Sequence, residues 1–253
     1  MIKVTIIGSG NLAQHLILAF TNTETIEICQ VFARNPATIS HLINTNKIVS
    51  NFNDLQESDL FLIAVSDNAI TEVSSKIPFT NKFVAHTSGS LSINDLDSKN
   101  RKSVFYPLQT FTKNKIIDFN EIPICLETQN ELDYQILEKI AHSISSKIFK
   151  TSSEQRKSLH VSAVFVCNFV NHLYQIGNDI CSENKVDFEI LKPLIQETAN
   201  KILTLSPFES QTGPAIRNDN QTINSHLKFL SNENQIEIYK LLTKSIIDNG
   251  KKL

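Results

Sequence analysis

Two glycines and an alanine in the spacing G-x-G-x-x-A (Gly8, Gly10 and Ala13) follow a run of mainly β-branched residues near the start of the chain. A helical pattern of apolar residues comes next, so the segment has the strand–turn–helix context that a dinucleotide-binding turn requires. The first glycine permits the tight turn, the second lets the backbone approach a pyrophosphate, and the alanine keeps the helix close to the strand. Unpaired N–H groups and the helix dipole favour phosphate there. The alternative is an ordinary turn that binds nothing.

The residues after the second predicted strand distinguish between the two nicotinamide cofactors. NAD-binding proteins usually place an acidic residue there, whereas this chain has Arg34 and Asn35. A guanidinium matches a 2′-phosphate in charge and geometry, which predicts NADP in preference to NAD. A solvated loop arginine is the alternative. The predicted cofactor contacts are Gly8, Ser9, Gly10, Asn11, Leu12, Arg34, Asn35, Val65, Ser66, Asp67, Thr87 and Ser88.

Polar residues also follow three further predicted strands, which end near Val65, His86 and Tyr106. In open α/β sheets, ligands bind at the carboxyl ends of the strands. An imidazole titrates near neutrality, so His86 is a candidate proton donor for the reduction of a carbonyl or an imine. Alternatively, His86 only ends a strand and hydrogen-bonds the backbone. Gln109 lies in a segment that suits a pocket wall or a domain junction.

A long helix is predicted from about 154 to 184, with an apolar pattern that predicts a buried helix. Its polar residues, from His160 and Asn168 to Gln175, fall roughly on one stripe. Either this stripe lines an interdomain cleft, with His160 and Asn168 facing the nicotinamide, or it packs in a dimer core. The predicted catalytic residues are His86, Gln109, His160 and Asn168.

Strand and helix patterns alternate over residues 1–150, whereas residues 151–253 have helical patterns only. We therefore predict an α/β fold, with a doubly wound, mostly parallel Rossmann sheet followed by an all-α C-terminal domain. The first domain would bind the dinucleotide, and the second would serve substrate binding and dimerisation. A short helix is predicted near 37–44.

The net charge of −2 over 253 residues comes with no basic run. This argues against a nucleic-acid partner. No apolar run is long enough to span a bilayer, and strand one begins too early for a signal peptide, so we expect a cytoplasmic protein without a membrane partner. The four cysteines lie far apart, without metal-site spacing, so no metal is expected.

With these residues identified, the chain resembles a family of bacterial Rossmann-like proteins with a C-terminal domain of unknown function (DUF2520). These proteins are described as candidate NADP- or F420-dependent oxidoreductases. More distantly, the chain is similar to pyrroline-5-carboxylate reductase, ketopantoate reductase and prephenate dehydrogenase, in which a helical C-terminal domain completes the active site and commonly dimerises. The resemblance therefore implies a homodimer through the helical domain. It rests on residues 8–13, 64–70, 86–89, 106–111 and 154–168, and on Thr212, Gly213, Pro214, Arg217 and Asp219.

The chain departs from these relatives at two positions. Relatives of the hydroxyacid dehydrogenase type carry a lysine four residues before the asparagine of the first long helix, where this chain has Val164 before Asn168. Many members of the closer family have histidine where this chain has Tyr106.

We expect an NADP-dependent oxidoreductase that transfers hydride to or from a small polar metabolite, with NAD or F420 less favoured. The alternatives are a non-catalytic NADP-binding regulatory or scaffold dimer and an F420-dependent NADP oxidoreductase.

Overall fold

The computed structural model describes residues 1–113, 115 and 117–250. The chain divides into two compact units, the first comprising residues 1–168 and the second beginning at Phe169. The prediction placed the domain boundary after residue 150, which is where the last strand ends. The first unit nevertheless continues along the next helix, because side chains of that helix bind the loops and strands of the sheet.

The first unit is built on an eight-stranded sheet with the strand order β3-β2-β1-β4-β5-β6-β7-β8. Neighbouring strands are parallel except for β6 and β7, which are antiparallel. The order reverses between β1 and β4, which is the switch point where Rossmann folds bind dinucleotides. The strands are β1 (Ile2–Ile7), β2 (Ile26–Phe32), β3 (Ile48–Val49), β4 (Leu60–Ile63), β5 (Phe83–His86), β6 (Arg101–Pro107), β7 (Ile124–Thr128) and β8 (Ile148–Lys150).

Helices cover this sheet, and the apolar run of β4 is buried along its whole length, as expected of a parallel strand packed on both faces. The predicted doubly wound Rossmann fold is therefore confirmed. The predicted helix near 37–44 is wrong, because only one 3₁₀ turn forms at Pro36–Thr38, where the Asn35 side chain caps the backbone locally. The helices of this unit are α1 (Asn11–Thr21), α2 (Asp67–Lys76), α3 (Glu131–His142) and α4 (Ser153–Ala163).

The predicted long helix is interrupted by a π-helical segment at Val164–Phe169, between α4 and α5. A π turn carries an extra residue, so side chains beyond it are rotated relative to a continuous α-helix. Within a single chain this helix is not buried, since Val161 and Val166 are at least half exposed. The alternative that it packs in a dimer core stays a prediction. An apolar pattern shows that a surface needs covering, but not what covers it.

The second unit is helical in its described part. The predicted C-terminal helices are all present, and Asp219 caps one of them by accepting a hydrogen bond from the Thr222 amide at 3.0 Å. Within the described ranges, no helix is both long enough and apolar enough to cross a membrane. The helices are α5 (Val170–Glu183), α6 (Lys192–Lys201), α7 (Asn220–Phe229) and α8 (Glu233–Gly250).

Candidate functional site

A cleft of about 600 Å³ lies at the carboxyl ends of β1, β2 and β4. The N-termini of α1 and α2 border it, so the cleft occupies the switch point of the sheet. Eight of the twelve predicted cofactor contacts line it: Gly8, Ser9, Gly10, Asn11, Leu12, Arg34, Val65 and Ser66.

Gly8 makes the turn out of β1 in a conformation that only glycine adopts readily. Its φ is +143°, and a Cβ atom at this position would lie 2.8 Å from the Ala64 carbonyl carbon and closer still to the oxygen. Its amide donates to the Phe32 carbonyl at 3.0 Å. Gly8 therefore brings the ends of β1, β2 and β4 together beneath the cleft.

The N-terminus of α1 opens into this cleft at Gly10. No side chain caps the helix there, and its first turn contains no acidic residue. A Cβ atom built on Gly10 would meet no atom within 4 Å, so the space above the turn is open. Backbone N–H groups at such an end are available to an anion and carry the positive end of the helix dipole. These features fit a pyrophosphate.

Arg34 follows β2 and lines the cleft on that side, and its side chain is exposed. In the described part of the chain it forms no ion pair, whereas Lys76 in the same cleft is paired with Glu72. The Glu72 carboxylate is thus paired with Lys76 of its own helix and is attracted to Arg34 only at longer range, so the Arg34 guanidinium can meet an incoming phosphate.

Sequence reasoning missed an apolar wall of the cleft. Phe52 lines it and stacks on Phe32, with ring centroids 4.1 Å apart and an interplanar angle of 28°. Phe52 stands in a short turn after β3, so only the folded chain shows that it reaches β2. Such a wall suits the flat face of a nucleobase.

The other four predicted cofactor contacts do not line the cleft. The Asn35 side chain accepts a hydrogen bond from the Ala37 amide at 3.2 Å, and Asp67 lies in the first turn of α2. The Thr87 hydroxyl donates to the Ile63 carbonyl at 3.2 Å. The Ser88 hydroxyl accepts from the amides of Ser90 and Leu91, both at 3.0 Å. Hydrogen bonds to the backbone occupy three of these side chains, and those of Asn35 and Ser88 lie within their own turns, as is common for polar residues in turns.

His86 is fully buried, and both of its ring nitrogens bind the backbone. Nδ1 accepts from the Ser88 amide at 3.1 Å, and Nε2 lies 3.2 Å from the Ser92 carbonyl. Burial, followed by the nearby Arg156 cation, lowers the pKa of His86 to about 4. The imidazole is therefore neutral at pH 7, with its single N–H committed to a carbonyl. This geometry argues against the predicted role as a proton donor and favours the alternative that His86 ends a strand and binds the backbone.

The three remaining predicted catalytic residues lie in different surroundings. The Gln109 side chain is exposed and accepts from the Thr110 amide at 2.8 Å. Asn168 is exposed in the π-helical segment. His160, on α4, lies with Nδ1 3.1 Å from the Tyr106 hydroxyl at the end of β6. The partner of His160, the Tyr106 phenol, is itself a group that can carry a proton.

A buried arginine that sequence reasoning missed fixes the position of α4. Arg156 is fully buried, and its guanidinium forms an ion pair with Glu127 on β7. It also donates to the carbonyls of Ser88 and Leu91 in the loop after β5. The Ser153 hydroxyl donates to Glu127 at 2.9 Å. This network joins β7, the β5 loop and α4, and His160 lies one helical turn further along α4.

Within the described ranges, no group of three or more histidine, cysteine or carboxylate side chains is placed to hold an ion.

Two family models match this chain. One is described as a domain of unknown function (DUF2520) and matches residues 122–246. The other is described as an NADP oxidoreductase, coenzyme F420-dependent, and matches residues 3–87. No curated protein matches the chain.

Solved structures resemble the chain over its whole length. A protein of Bacteroides fragilis, described as a candidate NADP oxidoreductase, is 33% identical, with 98% of each chain covered and a TM-score of 0.86. A protein of Thermotoga maritima is 21% identical, with 98% of each chain covered and a TM-score of 0.75. An imine reductase of Myxococcus stipitatus in complex with NADP+ is 13% identical, with 99% of this chain and 93% of the other covered and a TM-score of 0.67. The last two show the fold alone. From the first of these structures and the two domain matches, the chain belongs to the family of Rossmann-like NADP oxidoreductases that carry a DUF2520 domain.

Proposed function

We propose that this chain is an NADP-dependent oxidoreductase that transfers hydride to or from a small polar metabolite. The observation that carries the proposal is the cleft at the switch point, with a helix N-terminus at Gly10 that no side chain caps and the exposed guanidinium of Arg34, which forms no ion pair within the described residues. A dinucleotide with a 2′-phosphate presents anionic groups that match both features.

The residues of the cleft have distinct roles in this proposal. The turn at Gly8–Leu12 holds the pyrophosphate at the N-terminus of α1, and Arg34 binds the 2′-phosphate. Val65 and Ser66, at the end of β4, border the second half of the cofactor. When bound, the cofactor supplies or accepts the hydride. The protein supplies binding, orientation and the proton.

Replacing Arg34 by alanine is expected to weaken NADPH binding about 10- to 100-fold, because hydrogen bonds to a charged group contribute about 1.5–3 kcal/mol. Binding of NADH, which lacks the 2′-phosphate, should change less than about twofold, since it makes none of those charge-assisted bonds. Titration of the purified protein with each cofactor, followed by nicotinamide fluorescence, measures both affinities.

Lys201→Ala is the matched control, because it removes one positive charge from an exposed side chain on α6. It should leave both affinities unchanged. Equal NADPH binding by wild type and Arg34→Ala would contradict the assignment of Arg34 to the 2′-phosphate. If the wild-type protein bound neither cofactor, the cleft would be only a structural feature of the fold, and the oxidoreductase proposal would fail.

We also propose that the helical unit pairs with a second copy of this chain. Several large apolar side chains are exposed there, and a large exposed apolar surface is typical of an interaction site. Leu203 is 80% exposed. The other exposed apolar side chains of this set are Val186, Ile190, Leu194, Ile202, Leu205, Phe208, Phe229 and Leu241.

Leu203→Glu is expected to shift the wild-type dimer towards monomer, because a carboxylate in an apolar interface is left without a partner. Sedimentation velocity measures the change in mass. Leu132→Glu, on α3 of the first unit, is the control, since Leu132 is 75% exposed and lies outside this surface. A monomeric wild type would overturn the dimer, and a Leu203→Glu dimer would place the interface elsewhere.

A further inference from the structure

Tyr106 and His160 form a hydrogen-bonded pair that no sequence motif predicts. The hydroxyl of Tyr106, at the end of β6, lies 3.1 Å from Nδ1 of His160 on α4. The two rings approach edge to face, with centroids 6.2 Å apart. A phenol and an imidazole at this distance can pass a proton between them.

Gly89 provides the space that this pair occupies. A Cβ atom on Gly89 would lie 2.6 Å from Nδ1 of His160 and 2.7 Å from Cζ of Tyr106. The φ of Gly89 is not in the left-handed region, so glycine is required here for room and not for backbone conformation. The loop after β5 therefore passes directly against the two groups.

The pair lies at the carboxyl edge of the sheet that also carries the cleft. β4, β5 and β6 are consecutive neighbours in the sheet, and Ser66, Gly89 and Tyr106 follow or end them in that order. In a Rossmann fold each half of the sheet binds one mononucleotide. Arg34 lies on the β2 side, so the reacting half of the cofactor falls towards β4, β5 and β6.

The surroundings of Tyr106 keep its hydroxyl protonated. Burial, with smaller effects from Cys125 and Asp67 that outweigh the opposing Arg156 cation, raises the pKa of Tyr106 to about 12. The phenol therefore carries its proton at neutral pH, and a tyrosinate left behind would be unfavourable. A second group must replace the proton as it leaves, and His160 is within hydrogen-bond reach.

We propose that Tyr106 delivers a proton to the carbonyl oxygen or imine nitrogen of the substrate while His160 replaces that proton. This inference rests on the proposed oxidoreductase function. In the step, the C=O or C=N π bond breaks as the carbon gains the hydride and the heteroatom gains the Tyr106 proton. A doubly protonated His160 gives its Nδ1 proton to the Tyr106 oxygen, so its imidazolium becomes a neutral imidazole. The reverse sequence oxidises an alcohol or an amine. Tyr106 is the catalytic residue and His160 acts through it.

The first test is independent of turnover. Histidine-labelled protein is titrated with NADP+, and the imidazole nitrogens are followed by NMR, with His160 assigned from a His160→Asn variant. NADP+ should shift the His160 signals, because the pair borders the reacting half of the cofactor. The signals of His226 are the internal control, because His226 forms a similar pair in the helical unit, 2.8 Å from the Tyr239 hydroxyl. Bound NADP+ that leaves His160 unshifted would overturn the proposal.

The second test uses Tyr106→Phe with Tyr239→Phe as its matched control. Tyr106→Phe should bind NADPH like wild type and lose about 100-fold in kcat for NADPH-dependent reduction of aldehydes, 2-oxo acids or cyclic imines. His160→Asn keeps a side chain that can form a hydrogen bond but removes the imidazole that can give up a proton. This variant should lower kcat with an unchanged KM. Tyr239→Phe should behave like wild type.

The outcomes separate this inference from the proposed function. Wild-type turnover by Tyr106→Phe, with NADPH binding intact, would overturn the proton-transfer pair and leave the oxidoreductase standing. Absence of NADPH binding by every variant and by wild type would overturn both. A KM rise in His160→Asn at constant kcat would reduce His160 to a structural role.

Discussion

Replacing Arg156 by methionine is expected to lower the free energy of unfolding of the first unit by about 3–5 kcal/mol, because it removes one partner of a buried ion pair. Glu127, only 14% exposed in its side chain, would be left without its cationic partner. The carbonyls of Ser88 and Leu91 would also lose their buried donor. Urea unfolding followed by far-ultraviolet circular dichroism measures the change, since the chain has no tryptophan to report it.

Lys147→Met is the control for this effect. Lys147 pairs with Glu121 on the surface, where the two side chains are 46% and 64% exposed, and such pairs contribute about 0–1 kcal/mol. A second variant tests the same ion pair if Arg156→Met folds poorly. Glu127→Gln in the otherwise wild-type protein removes the carboxylate and leaves the buried Arg156 guanidinium without its counter-charge, so it should destabilise the first unit more than Lys147→Met does. A loss for Arg156→Met no larger than that for Lys147→Met would contradict the structural role assigned to this pair.

Replacing Gly8 by alanine is expected to destabilise the first unit by about 4 kcal/mol or more, which is an exceptional cost for a single methyl group. Two causes add together. The positive φ of Gly8 strains any other residue, and the new Cβ would overlap the Ala64 carbonyl of the neighbouring β4 segment. The carbonyl belongs to the backbone, so it cannot move aside as a flexible side chain would. Thermal unfolding followed by circular dichroism measures the loss.

Gly10→Ala is the matched control, because it makes the same chemical change two residues further along the same turn. Its Cβ would meet no atom within 4 Å, and its φ of −72° is accessible to alanine. We expect Gly10→Ala to unfold like wild type but to bind NADPH more weakly, since the new methyl group would stand where the backbone approaches the pyrophosphate. Equal stability of the two variants would contradict the role assigned to Gly8.

Much of the fold could be predicted from the sequence because its signals are local. The β-branched run before Gly8 and the buried run of β4 reflect packing on both faces of a strand, and both appear in the structure as predicted. The G-x-G-x-x-A spacing encodes a backbone turn, which depends only on the residues within it. The eight cofactor contacts that line the cleft are therefore close to the turn or at strand ends beside it.

Local patterns also produced the predictions that the structure does not support. His86 has the chemistry of a proton donor, but its burial and its two backbone partners come from residues that pack around β5. The apolar long helix carries no information about what covers it. The side chains of Asn35 and Ser88 accept hydrogen bonds from backbone amides of their own turns, so they are not free to bind a ligand.

Sequence alone predicts the alternation of strands and helices, the glycine turn and the absence of a carboxylate after β2, because each depends on neighbouring residues. Which distant side chains meet depends on the folded structure. Arg156 and Glu127 are 29 positions apart, and Tyr106 and His160 are 54 positions apart. Their contacts depend on how α4 packs on β6, β7 and the loop after β5. Packing of this kind is a property of the whole folded unit, so no spacing in the chain could reveal it.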